Sequence, residues 1–118
     1  MTAPDFSDLV AQEAATDALA CVFNSERSIV WMNVAFRFVL GFGPSEDLSQ
    51  TDSVSYFPFA EGEPDDPLSK AARVGTWHGA LVVSGRGGIQ VNLNASILRK
   101  AIVIDGPTVF VLVATKTD

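Results

Sequence analysis

Between Ile89 and Leu98 apolar and polar residues alternate almost without a break. Ile89, Val91, Leu93, Ala95 and Ile97 share one side, and Gln90, Asn92, Asn94 and Ser96 share the other. This is the period of a strand with one buried face and one wet face, and it implies a sheet covered mainly on one side. Two further runs rich in β-branched and apolar residues flank it, residues 77–83 and 108–115. Gly85-Arg86-Gly87-Gly88 and Asp105-Gly106-Pro107 separate the three as hairpin turns, because glycine reaches the left-handed conformations that tight reversals use. The last third is therefore predicted to be three antiparallel strands that need apolar cover.

The earlier part of the chain can supply the cover. Residues 5–15 carry Phe6, Leu9, Val10 and Ala14 at helical spacing, with Asp8, Gln12 and Glu13 on the other side, and Asp5 or Ser7 can cap the start. Residues 18–23 and 28–32 are predicted to be a strand pair around the turn Asn24-Ser25-Glu26-Arg27. Asn33 then opens a helix carrying Val34, Phe36, Phe38, Val39 and Leu40, stopped by Gly41-Phe42-Gly43-Pro44. The pattern weakens from Ser45 to Asp66: Ser45-Glu46-Asp47-Leu48 resembles a short helical start, Tyr56, Phe57 and Phe59 stand in a polar loop, and residues 61–66 form an acidic turn. Asp65 or Asp66 is predicted to cap a helix with Pro67 at its first position, running to about Val74.

Two strands, several short helices and three strands make an α+β domain. We expect about five antiparallel strands with short helices on one face, spanning residues 17–118, preceded by the amphipathic helix of residues 1–16. A length of 118 residues suits one such domain. The net charge of −6 repels phosphate backbones and anionic headgroups, which argues against nucleic acid and membranes as partners. A single cysteine, Cys21, cannot form an internal disulfide and suits a reducing cytoplasm; no basic segment leads into an apolar run at the start, and none approaches the roughly 20 residues of a membrane span.

The order of these motifs resembles a PAS domain, a sensor module of bacterial signalling proteins, over nearly the whole chain. Thr16-Asp17-Ala18 leads into the first strand as that family commonly does. Ser28-Ile29-Val30-Trp31-Met32-Asn33, followed by Ala35-Phe36 and Gly41-Phe42, is similar to its strand-to-helix signature. Gly75-Thr76-Trp77-His78-Gly79 resembles the approach to its third strand, and Gly85 to Gly88 its next hairpin. Gly79 is expected to let a helix approach the sheet closely. The resemblance departs at Thr115-Lys116-Thr117, where the family often has Asp-aliphatic-Thr coupled to an output helix. It implies a non-catalytic cytoplasmic sensor, a homodimer, and an output partner such as a kinase, cyclase or transcription regulator; the chain stopping at Asp118 suits the N-terminal sensor of a longer protein, with a stand-alone domain as the alternative.

The chemistry-bearing residues point the same way. One histidine, His78, cannot build a His/Cys metal cluster, and its position beside a tryptophan on a strand suits an exposed residue better than a catalytic one. Cys21 in the first strand is expected to be buried and inert. The flavin photochemistry of some PAS domains uses a cysteine on a helix, and haem binding uses a histidine on the helix before the third strand, so both cofactors are disfavoured. Asn92 and Asn94 fall on the wet face, which leaves an apolar wall inside. No cofactor is required. Trp31, Phe36, Leu40, Phe57, Leu68, Trp77, Leu81, Val91, Leu93 and Ala95 are the candidate lining of a ligand cavity, and equally suit plain core. Phe6, Leu9 and Val10 are candidate dimer contacts. Three functions stay open: a sensor of a small apolar or organic ligand, a ligand-free dimerisation module, and an enzyme using Asp17, which has the least support.

Overall fold

Two side chains decide where helices begin. Asn33 sits in extended backbone ahead of α1 (Val34–Leu40), and its Oδ1 accepts from the Phe36 N–H at 3.0 Å. Asp66 does the same for α2 (Pro67–Val74), accepting from the Ser69 N–H at 2.7 Å, with Pro67 where a missing N–H costs nothing. Both helices end on a left-handed glycine, Gly41 at φ 86° and Gly75 at φ 97°, which closes the last turn without a Cβ clash. A computed structural model describes residues 18–26, 28–43, 57, 66–101 and 108–117. The expectations for residues 5–15, 45–48 and 105–107, and for Asp17, Tyr56 and Phe59, lie outside those residues.

The strands are β1 (Leu19–Asn24), β2 (Ile29–Met32), β3 (Thr76–Ser84), β4 (Gln90–Ala101) and β5 (Thr108–Lys116). They form one antiparallel sheet in the order β2-β1-β5-β4-β3, so the first and last strands lie side by side, with Cys21 opposite Leu112. The β1–β2 reversal is set by Asn24, whose Oδ1 accepts from the Glu26 and Ser28 N–H groups at 2.9 and 3.0 Å. With α1 and α2, this is the α+β architecture expected from the sequence.

The alternation of β4 holds from Val91 to Ile97, but Ile89 departs from it. Ile89 is 57% exposed and stands in the turn, because Gly87 and Gly88 at φ 77° and 80° prolong the reversal and the Ile89 carbonyl closes it by accepting from Gly85 at 2.7 Å. That hairpin lies against the end of α1. A Cβ on Gly85 would meet the Leu40 carbonyl oxygen at 3.1 Å, and the Arg86 guanidinium stands 4.6 Å above the Phe42 ring.

The inner face of the sheet and the two helices bury one cluster: Leu19, Cys21 and Phe23 from β1, Phe36 and Leu40 from α1, Leu68 and Ala71 from α2, with inward residues of the other strands. The outer face is divided. Ala20, Val22, Val109 and Val111 form a second buried apolar cluster, with Trp31 and Val113 packed against it, whereas Asn92, Asn94 and His78 on β4 and β3 are exposed.

Candidate functional site

The inner wall joins most of the candidate lining residues. Phe36, Leu40, Phe57, Leu68, Leu81, Val91, Leu93 and Ala95 share the buried inner cluster, and half-buried Trp77 packs against it. Phe57 is fully buried at the centre, edge-on to Phe23 at 5.1 Å and to Phe36 at 5.7 Å between ring centroids. Trp31 does not join them. It pairs with Val22 and packs on the outer cluster, because the β1–β2 register shifts between Val22 and Phe23 and sends Ile29 and Met32 inward instead. Phe6, Leu9 and Val10 lie outside the described residues.

Across the wall, Gly79 on β3, Ala95 on β4 and Ala114 on β5 stand opposite one another in register. What closes over Gly79 is the Trp77 ring two residues earlier on the same strand face, not a helix: a Cβ on Gly79 would meet Trp77 Cζ2 at 2.7 Å and Cη2 at 2.9 Å. Gly79→Ala therefore forces the indole away, at a cost of about 1–3 kcal/mol. Measured in a Trp31→Phe background, the Gly79→Ala variant is expected to show red-shifted tryptophan emission; an unchanged spectrum would mean that the ring does not lie there.

No polar or charged side chain is buried among the described residues. Of the titratable groups that the sequence singles out, His78 and Cys21 are among the described residues. His78 is exposed on the outer face, its Nδ1 2.7 Å from Ser96 Oγ and its Nε2 3.3 Å from Thr76 Oγ1. No three metal-ligating side chains cluster among the described residues. Cys21 is fully buried, and burial pushes its thiol far above its ordinary pKa near 9, against a smaller opposing pull from Arg37.

The Cys21 shift has a pH signature. Below about pH 9 the thiol is neutral in both states; above it the unfolded chain ionises while the folded chain does not. Stability from this group is thus complete below pH 9 and is lost by about 1.4 kcal/mol per pH unit above it. Alkaline denaturation should show this slope in the natural chain, and Cys21→Ala should flatten it by that amount.

The sequence suggests that Asn33 accepts from or donates to backbone groups where strand becomes helix, and the structure shows which groups those are. Besides capping α1, its Oδ1 accepts from the Ala20 N–H at 3.2 Å and its Nδ2 donates to the Ala18 carbonyl at 2.8 Å, tying α1 to the start of β1. Arg37 bridges both ends of the same helix, donating to the Met32 carbonyl ahead of it at 3.0 Å and to the Gly43 carbonyl beyond it at 3.1 Å. The signal for Arg37 was only a lone cation on a short apolar helix.

No protein-family model and no curated protein matches this sequence. Solved structures do. A PAS domain from a two-component sensor histidine kinase aligns at TM-score 0.70 and 9% identity, over 95% of this chain and 94% of that one. The PAS domain of an HTR-like protein from Haloarcula marismortui aligns at 0.67 and 16%, over 95% and 91%. One from a protein of Colwellia psychrerythraea aligns at 0.70 and 12%, over 96% and 98%. Alignments of this quality over nearly the whole of both chains show that the chain has the PAS fold.

Proposed function

We propose that this chain is a sensory domain that takes a small apolar ligand against its inner wall and relays the change in packing to an output domain or partner. The observation that carries this reading is the wall itself: its described buried side chains are all apolar, and its middle is lined by Gly79, Ala95 and Ala114. A polar ligand would lose hydrogen bonds to water there, at about 1–3 kcal/mol for each unpaired group.

The relay would be a population shift, in which the ligand favours one core arrangement over another. Trp77 is a half-buried side chain packed at the edge of the inner wall. The strand beside its own, β4, is tied to α2 because the Arg99 N–H donates to the Gly75 carbonyl at 3.0 Å and the Arg99 guanidinium to the Ala72 carbonyl. A displaced indole would thus be felt at α2 and across β4. Output would lie in a fused or partner kinase, cyclase or regulator, with no catalysis in this chain, and the reading places it in the cytoplasm as a homodimer. Among the described residues no helix is long and apolar enough to cross a membrane. Filling the wall with Ala95→Trp, or with the milder Ala95→Leu, should abolish the ligand response while the domain stays folded. Signalling that survives a proven loss of the binding space would exclude the mechanism.

A second reading, a ligand-free dimerisation module, draws on the rim of the outer-face cluster, where Trp31 and Val113 are half-buried while Val22 and Val111 are already covered within the chain. The apolar side of residues 5–15 would join it to a second copy. Leu9→Asp combined with Val10→Asp should then give monomers, and a dimer that persists would exclude that segment as the contact.

A further inference from the structure

Among the described residues, the β3 edge of the sheet carries no charge, proline or bulge of the kind that keeps sheet edges apart. Among the described strands β3 bonds to β4 alone, over nine residues from Thr76 to Ser84. Its register runs from Thr76 opposite Leu98 to Ser84 opposite Gln90 with no bulge. None of its nine residues is Lys, Arg, Asp, Glu or Pro. Strand edges are ordinarily blunted by charge, proline, a bulge or shortness, and β3 has none of these. The opposite edge has two, because β2 has only four residues and its register with β1 is shifted.

We propose that β3 is a self-association edge that pairs antiparallel with β3 of a second copy, centred on Ala80. The strand is self-complementary about that point. Gly79 would face Leu81, His78 would face Val82, Trp77 would face Val83, and Thr76 would face Ser84. The smallest residue meets a large one, the hydroxyls meet each other, and no like charges oppose. On the outer side of β3 the exposed residues are His78, Ala80 and Val82, the last 48% exposed, so pairing covers apolar surface as well as backbone. A second copy carries a net charge of −6, and an uncharged edge is where two such molecules meet with least repulsion. The contact is two-fold and consumes both β3 edges, so it closes at a dimer and leaves only the short, bulged β2 edges outside.

Sedimentation velocity of the whole chain over a dilution series tests this, with hydrogen exchange on the same samples. The natural chain is expected to reach twice the monomer mass at high concentration, with protection of those amides of residues 76–84 that do not bond β4 fading on dilution. Ala80→Lys sets two ammonium groups against each other at the symmetry axis and should give monomers with unchanged circular dichroism. Val82→Lys, at an exposed position, decides the matter if Ala80→Lys does not fold. A monomeric natural chain, a dimer that survives both lysines, or edge-facing amides of residues 76–84 whose exchange does not change with concentration would overturn the proposal. No ligand takes part in these measurements, so their outcome is separate from that of the sensory reading.

Discussion

Phe57→Ala is expected to be the most damaging single substitution among the described core residues, lowering stability by about 3–5 kcal/mol. Phe57 is fully buried and holds two edge-on contacts at once, to Phe23 on β1 and Phe36 on α1. Truncation removes the transfer energy of the ring, leaves a cavity where strand and helix meet, and deletes two aromatic contacts of about 0.5–1.5 kcal/mol each beyond area. Thermal and urea unfolding should show the midpoint falling by well over 10 °C, at roughly 4 °C per kcal/mol for a chain of this size. Phe57→Leu should recover much of the loss, since it refills most of the space. A Phe57→Ala loss below about 1 kcal/mol would mean that Phe57 is not at the centre of the core.

Asn33→Ala should follow at about 3 kcal/mol, and for a different reason. It removes little volume. It removes a helix cap, usually about 1 kcal/mol, and leaves the Ala20 N–H and Ala18 carbonyl at the head of β1 without their side-chain partner, at about 1–3 kcal/mol for each group left unsatisfied. Asn33→Asp separates the contributions. The carboxylate can still accept from Phe36 and Ala20, but it cannot donate to Ala18, so the loss should be intermediate. Hydrogen exchange should show residues 18–20 and the first turn of α1 loosening together in Asn33→Ala. If only the helix loosens, Asn33 is a cap and not a tie.

These two residues also show what sequence can and cannot say. The cap at Asn33 was legible because an amide ahead of a helical pattern has a local role; the bonds to Ala18 and Ala20 span fifteen and thirteen residues and follow only from tertiary placement. Phe57 stood out as a large aromatic in a polar loop, but its two partners lie on separate elements. The alternating strand β4 was legible because its period is unbroken. Trp31 was not, because Ile29-Val30-Trp31-Met32 is apolar throughout and has no phase, so its facing is set by the register shift in β1–β2. Gly79 was read as room for a helix, and the room is taken by Trp77 on the same strand, a choice set by packing and invisible in spacing. The inner-wall residues were found because apolar periodicity marks what is buried; periodicity carries no information on whether a buried wall also receives a ligand.

Native mass spectrometry of the purified chain, with an absorbance spectrum of the same sample, tests the sensory reading most directly. The account predicts a colourless small molecule that leaves the natural chain on denaturation and does not accompany Ala95→Trp. A natural chain found bare, or one carrying the visible band of a haem or flavin, would contradict it.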